Sequence, residues 1–108
     1  MQQLTPTQVQ SYIKQNNADG QPIFLDVRES YETSFCRIDG SMLIPMNELP
    51  DRLSELNCED EIIVLCHHGM RSLQVAYYLE HQGYNRVTNL VGGIDAWSVE
   101  VDPSVSRY

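Results

Sequence analysis

No stretch of this sequence approaches the roughly 20 consecutive apolar residues that a membrane-spanning helix requires. The opening residues, Met1 to Pro6, have neither the basic nor the apolar region of a secretory signal. Both absences point to a cytoplasmic protein with no membrane partner. Basic residues are scarce: 7 Lys and Arg stand against 15 Asp and Glu, a formal net charge of −8. Binding a phosphate backbone needs a basic face, so no nucleic acid is expected as a partner. The cysteines are only Cys36, Cys58 and Cys66, an odd number that suits free thiols in a reducing compartment rather than a disulfide framework. Internal repeats and low-complexity linkers are also missing.

What is present is one domain's worth of ordinary globular sequence, 108 residues with 42% hydrophobic and 20% charged side chains. That length builds one core and hardly a second. Thr5-Pro6-Thr7-Gln8 has the marks of a helix start: a Thr cap, Pro at the first helical position and Gln three residues after the cap. Val9 and Ile13 then share a face, and Asn17 to Gly20 closes the helix with turn residues. Ile23 to Val27 reads as a buried strand, Arg28 to Glu32 as a polar connection of one or two helical turns, and Met42 to Ile44 as a short strand stopped by Pro45. Leu49, Leu53 and Leu56 recur at helical spacing, with Pro50 near the start of that helix.

Ile62 to Leu65 is apolar throughout, as expected of a strand with helices on both sides. Leu73, Val75, Ala76 and Leu79 predict a helix from about Ser72 to a C-terminal cap near Gly83. On it, Tyr77 is assigned to the core and Tyr78 to the surface. Val87 to Val91 forms a last strand, which Gly92-Gly93 breaks before a short helix around Ile94 to Trp97. Strands alternating with helices imply a largely parallel sheet covered on both faces. The whole chain, 1–108, reads as one domain with its core at about 18–98 and an irregular tail, 99–108.

The chemistry concentrates after the strongest strand. Cys66 follows Leu65 directly and precedes a predicted helix, the usual place for function in an open α/β sheet. Backbone N–H groups of such a loop and helix start can converge on one point and favour a sulfur anion there. Gly69 permits the positive φ that curls the loop, and Arg71 adds a permanent charge with planar donors. His67 and His68 can add charge or hydrogen bonds, and Met70 and Ser72 complete the loop. Together these are the ingredients of an activated cysteine nucleophile facing an anionic substrate. A blander reading makes Cys66 a small apolar core residue. A zinc site built on Cys58, Cys66, His67 and His68 lacks the usual paired ligand spacing.

With these residues laid out, the sequence resembles a single-domain rhodanese, a sulfurtransferase family, over nearly its whole length. Leu25-Asp26-Val27-Arg28 resembles the family's early strand and its Asp-x-Arg ending. Ile38-Asp39-Gly40-Ser41 through Ile44-Pro45 is similar to its second signature, although Cys36, Arg37 and Ser41 replace the common Gly, His and Ala. Cys66-His67-His68-Gly69-Met70-Arg71 matches the active loop, and Gly92-Gly93-Ile94-Asp95-Ala96-Trp97 matches the closing Gly-Gly-x-x-x-Trp. The resemblance implies a rhodanese-like three-layer α/β/α fold with a mostly parallel central sheet of about five strands.

It also implies an activity: transfer of a sulfane sulfur from thiosulfate or a related donor, through a Cys66 persulfide, to a thiol, cyanide or a protein acceptor. No metal, nucleotide or flavin cofactor is called for. Arg71 is assigned to anion binding and loop organisation, and His67 and His68 to loop electrostatics. Asp26 is a supporting residue that ties neighbouring loops, and Arg28 is placed at the rim of the site. Trp97 and Gly92-Gly93 are read as packing and turn features, and Cys36 as a candidate second redox thiol. The tail from Trp97 to Tyr108 is weakly similar to tails of rhodanese domains fused to sulfur-carrier activating enzymes.

Two competitors remain. One is a noncatalytic interaction or regulatory module of the same fold. The other is a cysteine phosphatase or arsenate reductase, whose loops place five residues between Cys and Arg. Here four residues separate Cys66 from Arg71, and a tighter ring of amides suits one sulfur better than a tetrahedral phosphate.

Overall fold

The computed structural model describes residues 1–15 and 20–108. Among them, the strands are β1 (Gln2–Leu4), β2 (Ile23–Asp26), β3 (Met42–Leu43), β4 (Ile62–Leu65) and β5 (Val87–Leu90). They form one sheet in the order β1-β5-β4-β2-β3, with every neighbouring pair parallel. The helices are α1 (Pro6–Gln15), α2 (Met70–His81) and α3 (Gly93–Glu100), and two segments, Glu32–Ser34 and Met46–Glu55, are 3-10 helices. The expected α/β class and parallel sheet are what the chain forms.

β4 shows how the layers are built. Its side chains alternate, so Ile62 and Val64 enter one apolar cluster with Val75, Ala76 and Leu79 of α2 and with Leu49. Ile63 and Leu65 enter the other, with Val9 of α1 and Ile94 of α3. A strand covered on both sides has no polar position to spare, which explains the unbroken apolar run.

The sheet starts earlier than the expected core boundary at 18, because β1 pairs with β5 through Gln2 to Leu4. A three-residue edge strand carries too little alternation to be recognised as one. α1 begins as its sequence predicts: the Thr5 N–H donates to Gln8 Oε1 at 2.9 Å and the Gln8 N–H to Thr5 Oγ1 at 3.3 Å, a reciprocal capping box. The expected turn at Asn17 to Gly20 lies, apart from Gly20, outside the described residues. At the other end of the chain, Val99 and Glu100 of the expected irregular tail still belong to α3, and 101–108 has turns but no strand or helix. It is nonetheless packed, since Val105 is buried and its carbonyl accepts the Ser98 hydroxyl at 2.5 Å.

Two helix expectations need correction. Met46–Glu55 is 3-10 rather than α, with Pro50 inside it and a break at Arg52 (φ −121°). Proline has no N–H for an interior α-helical bond, so the segment tightens and kinks while still burying Leu49. The two tyrosines of α2 are also exchanged: Tyr77 is 55% exposed, whereas Tyr78 packs against the core. The buried stripe runs through Ser72, Val75, Ala76 and Leu79, and position 77 is on the far side of that stripe. The helix starts at Met70, two residues before the expected Ser72. It ends at Gly83 as expected, with the Tyr84 N–H bonded to Leu79 O and the Gly83 N–H to Glu80 O, the paired bonds of a Schellman cap.

Strand order places the site. From β2 the chain moves outward to β3, and from β4 it moves the other way to β5. The carboxyl ends of β2 and β4 therefore flank the point where strand order reverses, where open α/β sheets bind ligands. Asp26 and Cys66 stand at those two ends.

Candidate active site

Cys66 is the first residue after β4, and the strand's alternation turns it toward α2. It is only 1% exposed. The Gly69 N–H points at its Sγ from 3.1 Å and the Ser72 N–H from 3.4 Å, while Ser72 Oγ lies at 3.4 Å. Two amides at the start of a 12-residue helix thus converge on one sulfur, and their partial positive charge stabilises an anion there.

The back of the loop is held by α3. The Cys66 carbonyl accepts the Ile94 N–H at 2.9 Å, and the His67 carbonyl accepts the Asp95 N–H at 3.2 Å. Those acceptors satisfy α3's own end groups. Gly92-Gly93 is therefore more than a turn, because it brings this helix start against the Cys66 loop.

Beneath the loop, Asp26 and Arg28 form a buried pair, with Arg28 Nη2 2.7 Å from Asp26 Oδ2. Arg28 is fully buried, so it is not a rim residue. Its guanidinium also donates to Cys36 O at 2.9 Å and to the Tyr108 hydroxyl oxygen at 3.0 Å. A guanidinium carries five donors, and this one spends them joining β2, the Cys36 segment and the tail. Asp26, expected to tie neighbouring loops, holds this guanidinium at the end of β2.

Arg71 does not stand free for an anion. Its guanidinium grips Glu32 with two bonds of 2.7 and 2.9 Å. Arg71 holds the Glu32 carboxyl at about 2, below its ordinary 4.5, and the Glu29 N–H and the Tyr108 hydroxyl help while burial opposes. A carboxyl depressed in the folded state stabilises the fold above its unfolded value and loses that contribution as pH falls toward its folded value. Between pH 6 and pH 3 the wild type is expected to lose about 2 kcal/mol more than Glu32→Gln in urea unfolding. Equal losses in the two proteins would refute this.

His67, His68 and Tyr108 form a stack. The His67 ring is 3.8 Å from Tyr108 at an interplanar angle of 5° and 3.9 Å from His68. Phe35 stacks on the same Tyr108 ring, at 5.2 Å. Burial and the neighbouring His68 lower the His67 pKa from its ordinary value, while Tyr108, Asp95 and Glu32 oppose. Burial raises the Tyr108 hydroxyl to about 12, with the bond to Arg28 opposing and the contact with Glu32 adding. Tyr108 therefore keeps its proton and donates it to Glu32 Oε1 at 2.9 Å. His68 is largely exposed, with Nδ1 4.0 Å from Asp95, and Met70 is 70% exposed.

Of the expected loop residues, Gly69 and Ser72 touch the sulfur, His67 and His68 stack on each other and on Tyr108, and Arg71 is tied to Glu32. Met70 faces solvent. Sequence reasoning missed Glu32, Tyr108 and Asn89. Asn89 carried a signal, a polar residue in an apolar strand; Tyr108, in a tail without regular structure, carried none. Among the described residues, no three of His, Cys, Asp and Glu gather into a group able to hold a metal ion, and no helix is long and apolar enough to cross a membrane.

Comparison with known proteins gives a family match. The model of the rhodanese-like domain matches residues 5–100. The chain is 42% identical over 88 residues to a rhodanese-like/PpiC domain-containing protein 12, chloroplastic, of Arabidopsis thaliana, covering 78% of this chain and 29% of that protein. It is 38% identical over 87 residues to a sulfurtransferase of Allochromatium vinosum, covering 80% and 81%. Among solved structures, a rhodanese-like domain protein from Staphylococcus aureus superimposes with a TM-score of 0.82 at 29% identity, covering 100% of this chain and 99% of that one.

Proposed function

Since the chain belongs to the rhodanese-like domain family, we propose that it is a sulfurtransferase that carries sulfane sulfur on Cys66. The observation that supports this most is the pair of N–H groups, from Gly69 and Ser72, aimed at one sulfur. Thiosulfate is the simplest donor for such a site. The Cys66 thiolate attacks its outer sulfur, a new S–S bond forms, and the old S–S bond breaks with its electron pair leaving on sulfite. Cyanide, a thiol or a protein acceptor then attacks the terminal sulfur and releases the Cys66 thiolate. The two N–H dipoles stabilise the sulfur anion at the start and end of this cycle.

Arg71 supports the reaction as a brace rather than as the anion's main partner, because Glu32 already neutralises it. A bound phosphate would need more free positive charge than this loop offers, which disfavours the phosphatase reading. The intact Cys66 loop disfavours a purely noncatalytic module. The three cysteines are free thiols, in keeping with a cytoplasmic setting.

The test is intact-protein mass measurement after incubation with thiosulfate. The wild type is expected to gain one sulfur that cyanide removes, and Cys66→Ser to gain none. A wild-type chain that takes up no sulfur from thiosulfate, or a Cys66→Ser chain that still does, overturns the reading.

A further inference from the structure

Asn89 is out of character with its surroundings. It occupies the third position of β5, in which every residue is buried, and it is itself 2% exposed. Asparagine is depleted in strands, and its amide is expensive to bury unless each end finds a partner. Its partners are the parts of the active loop that face the sulfur. Asn89 Oδ1 accepts the Ser72 hydroxyl at 2.5 Å. Asn89 Nδ2 donates to the Gly69 carbonyl at 3.3 Å and to Gln3 Oε1 of the adjoining β1 at 3.4 Å. Gly69 and Ser72 are the two residues whose N–H groups point at Cys66 Sγ.

We propose that Asn89 is the positioning residue of the sulfur cradle, gripping Gly69 by its carbonyl and Ser72 by its hydroxyl so that both amides converge on Cys66. Asn89 touches neither the sulfur nor a substrate and acts only through those two residues. Their peptide groups lie at a loop-to-helix junction, where a small rotation turns an N–H away from its target. β5 is a central strand hydrogen-bonded on both sides, which gives the grip a rigid base. The inference rests on Cys66 being the sulfur-transfer nucleophile, but its test reads the cysteine's reactivity directly.

The measurement is the rate of alkylation of Cys66 by iodoacetamide at pH 7, resolved by peptide mass spectrometry, in Asn89→Leu, Ser72→Ala and the double variant. Asn89→Leu loses both grips and is expected to react about tenfold more slowly, and Ser72→Ala about threefold. Because Asn89→Leu already removes the partner that holds the Ser72 hydroxyl, the double variant is expected to be slowed well short of about thirtyfold relative to wild type. A role confined to strand stability predicts the opposite sign, since loosening the fold exposes a buried thiol and speeds its alkylation. Effects that multiply to about thirtyfold in the double variant, or an Asn89→Leu rate at or above wild type, overturn the proposal. If the expected pattern holds while Cys66 takes no sulfur from thiosulfate, the sulfurtransferase reading falls and the role of Asn89 stands.

Discussion

Arg28→Met is expected to cost the fold about 3–5 kcal/mol, the scale for removing one partner of a buried ion pair. The Asp26 carboxylate would then be left 1% exposed without the guanidinium that now faces both its oxygens. Cys36 O and the Tyr108 hydroxyl would lose their donor at the same time. A domain's whole stability is commonly about 5–15 kcal/mol, so this change alone can unfold much of the population at room temperature. Urea unfolding followed by circular dichroism measures it. A double variant, Asp26→Leu with Arg28→Met, removes the stranded charge and is expected to recover much of the loss. If single and double variants unfold at the same urea concentration, the cost arises from the lost bonds to the Cys36 segment and the tail rather than from an unpaired carboxylate.

That prediction depends on a placement that the sequence did not make readable. An Asp-x-Arg at a strand end is compatible with a surface pair or a rim residue as much as with a buried one. Burial was decided by distant chain, the Cys36 segment and the tail, closing over Arg28. The same holds for Glu32 and Arg71, which lie far apart in sequence and meet only because the switch point brings the end of β2 beside the loop after β4. Local signals were reliable where the cause is local: the Thr5 capping box, the Gly83 cap and the apolar run of β4. They failed where tertiary contacts decide, as at the kinked Met46–Glu55 segment, the exchanged Tyr77 and Tyr78, and the tail whose Tyr108 stacks on His67. The tyrosines and the tail are failures over which side meets the rest of the chain, whereas β1 went unrecognised and Met46–Glu55 was given the wrong helix type.

A consequence follows for how the loop is built. The amides in front of Cys66 come from the start of α2, and the donors behind it come from the start of α3. Two helix beginnings therefore address one short loop, the first serving the sulfur and the second the loop's carbonyls. The Cys66 and His67 carbonyls are thereby tied to α3, while the Gly69 and Ser72 N–H groups face the sulfur with their positive ends.

The position on which these ties most depend is Gly93, and Gly93→Ala is expected to lower sulfur loading of Cys66 by about 100-fold or more, as misplacement of reacting groups by about an ångström can do. A Cβ at Gly93 would lie 2.4 Å from the Cys66 carbonyl oxygen and 2.5 Å from that of His67. Both atoms are backbone, so no side-chain rotation relieves the overlap, and its φ of +63° disfavours any side chain besides. The loop must move off α3, which breaks the bonds from the Ile94 and Asp95 N–H groups and turns the Cys66 peptide. Gly83→Ala is the matched control: its φ is +95°, but its Cβ would meet nothing within 4 Å. That variant is expected to lose about 1 kcal/mol of stability at the end of α2 and to keep sulfur loading within about twofold of wild type. Single-turnover loading from thiosulfate, read by intact mass on protein whose unfolding temperature is measured in parallel, separates the two. Gly93→Ala protein that loads at the wild-type rate would mean that the loop tolerates release from α3 and that the two N–H groups of α2 suffice.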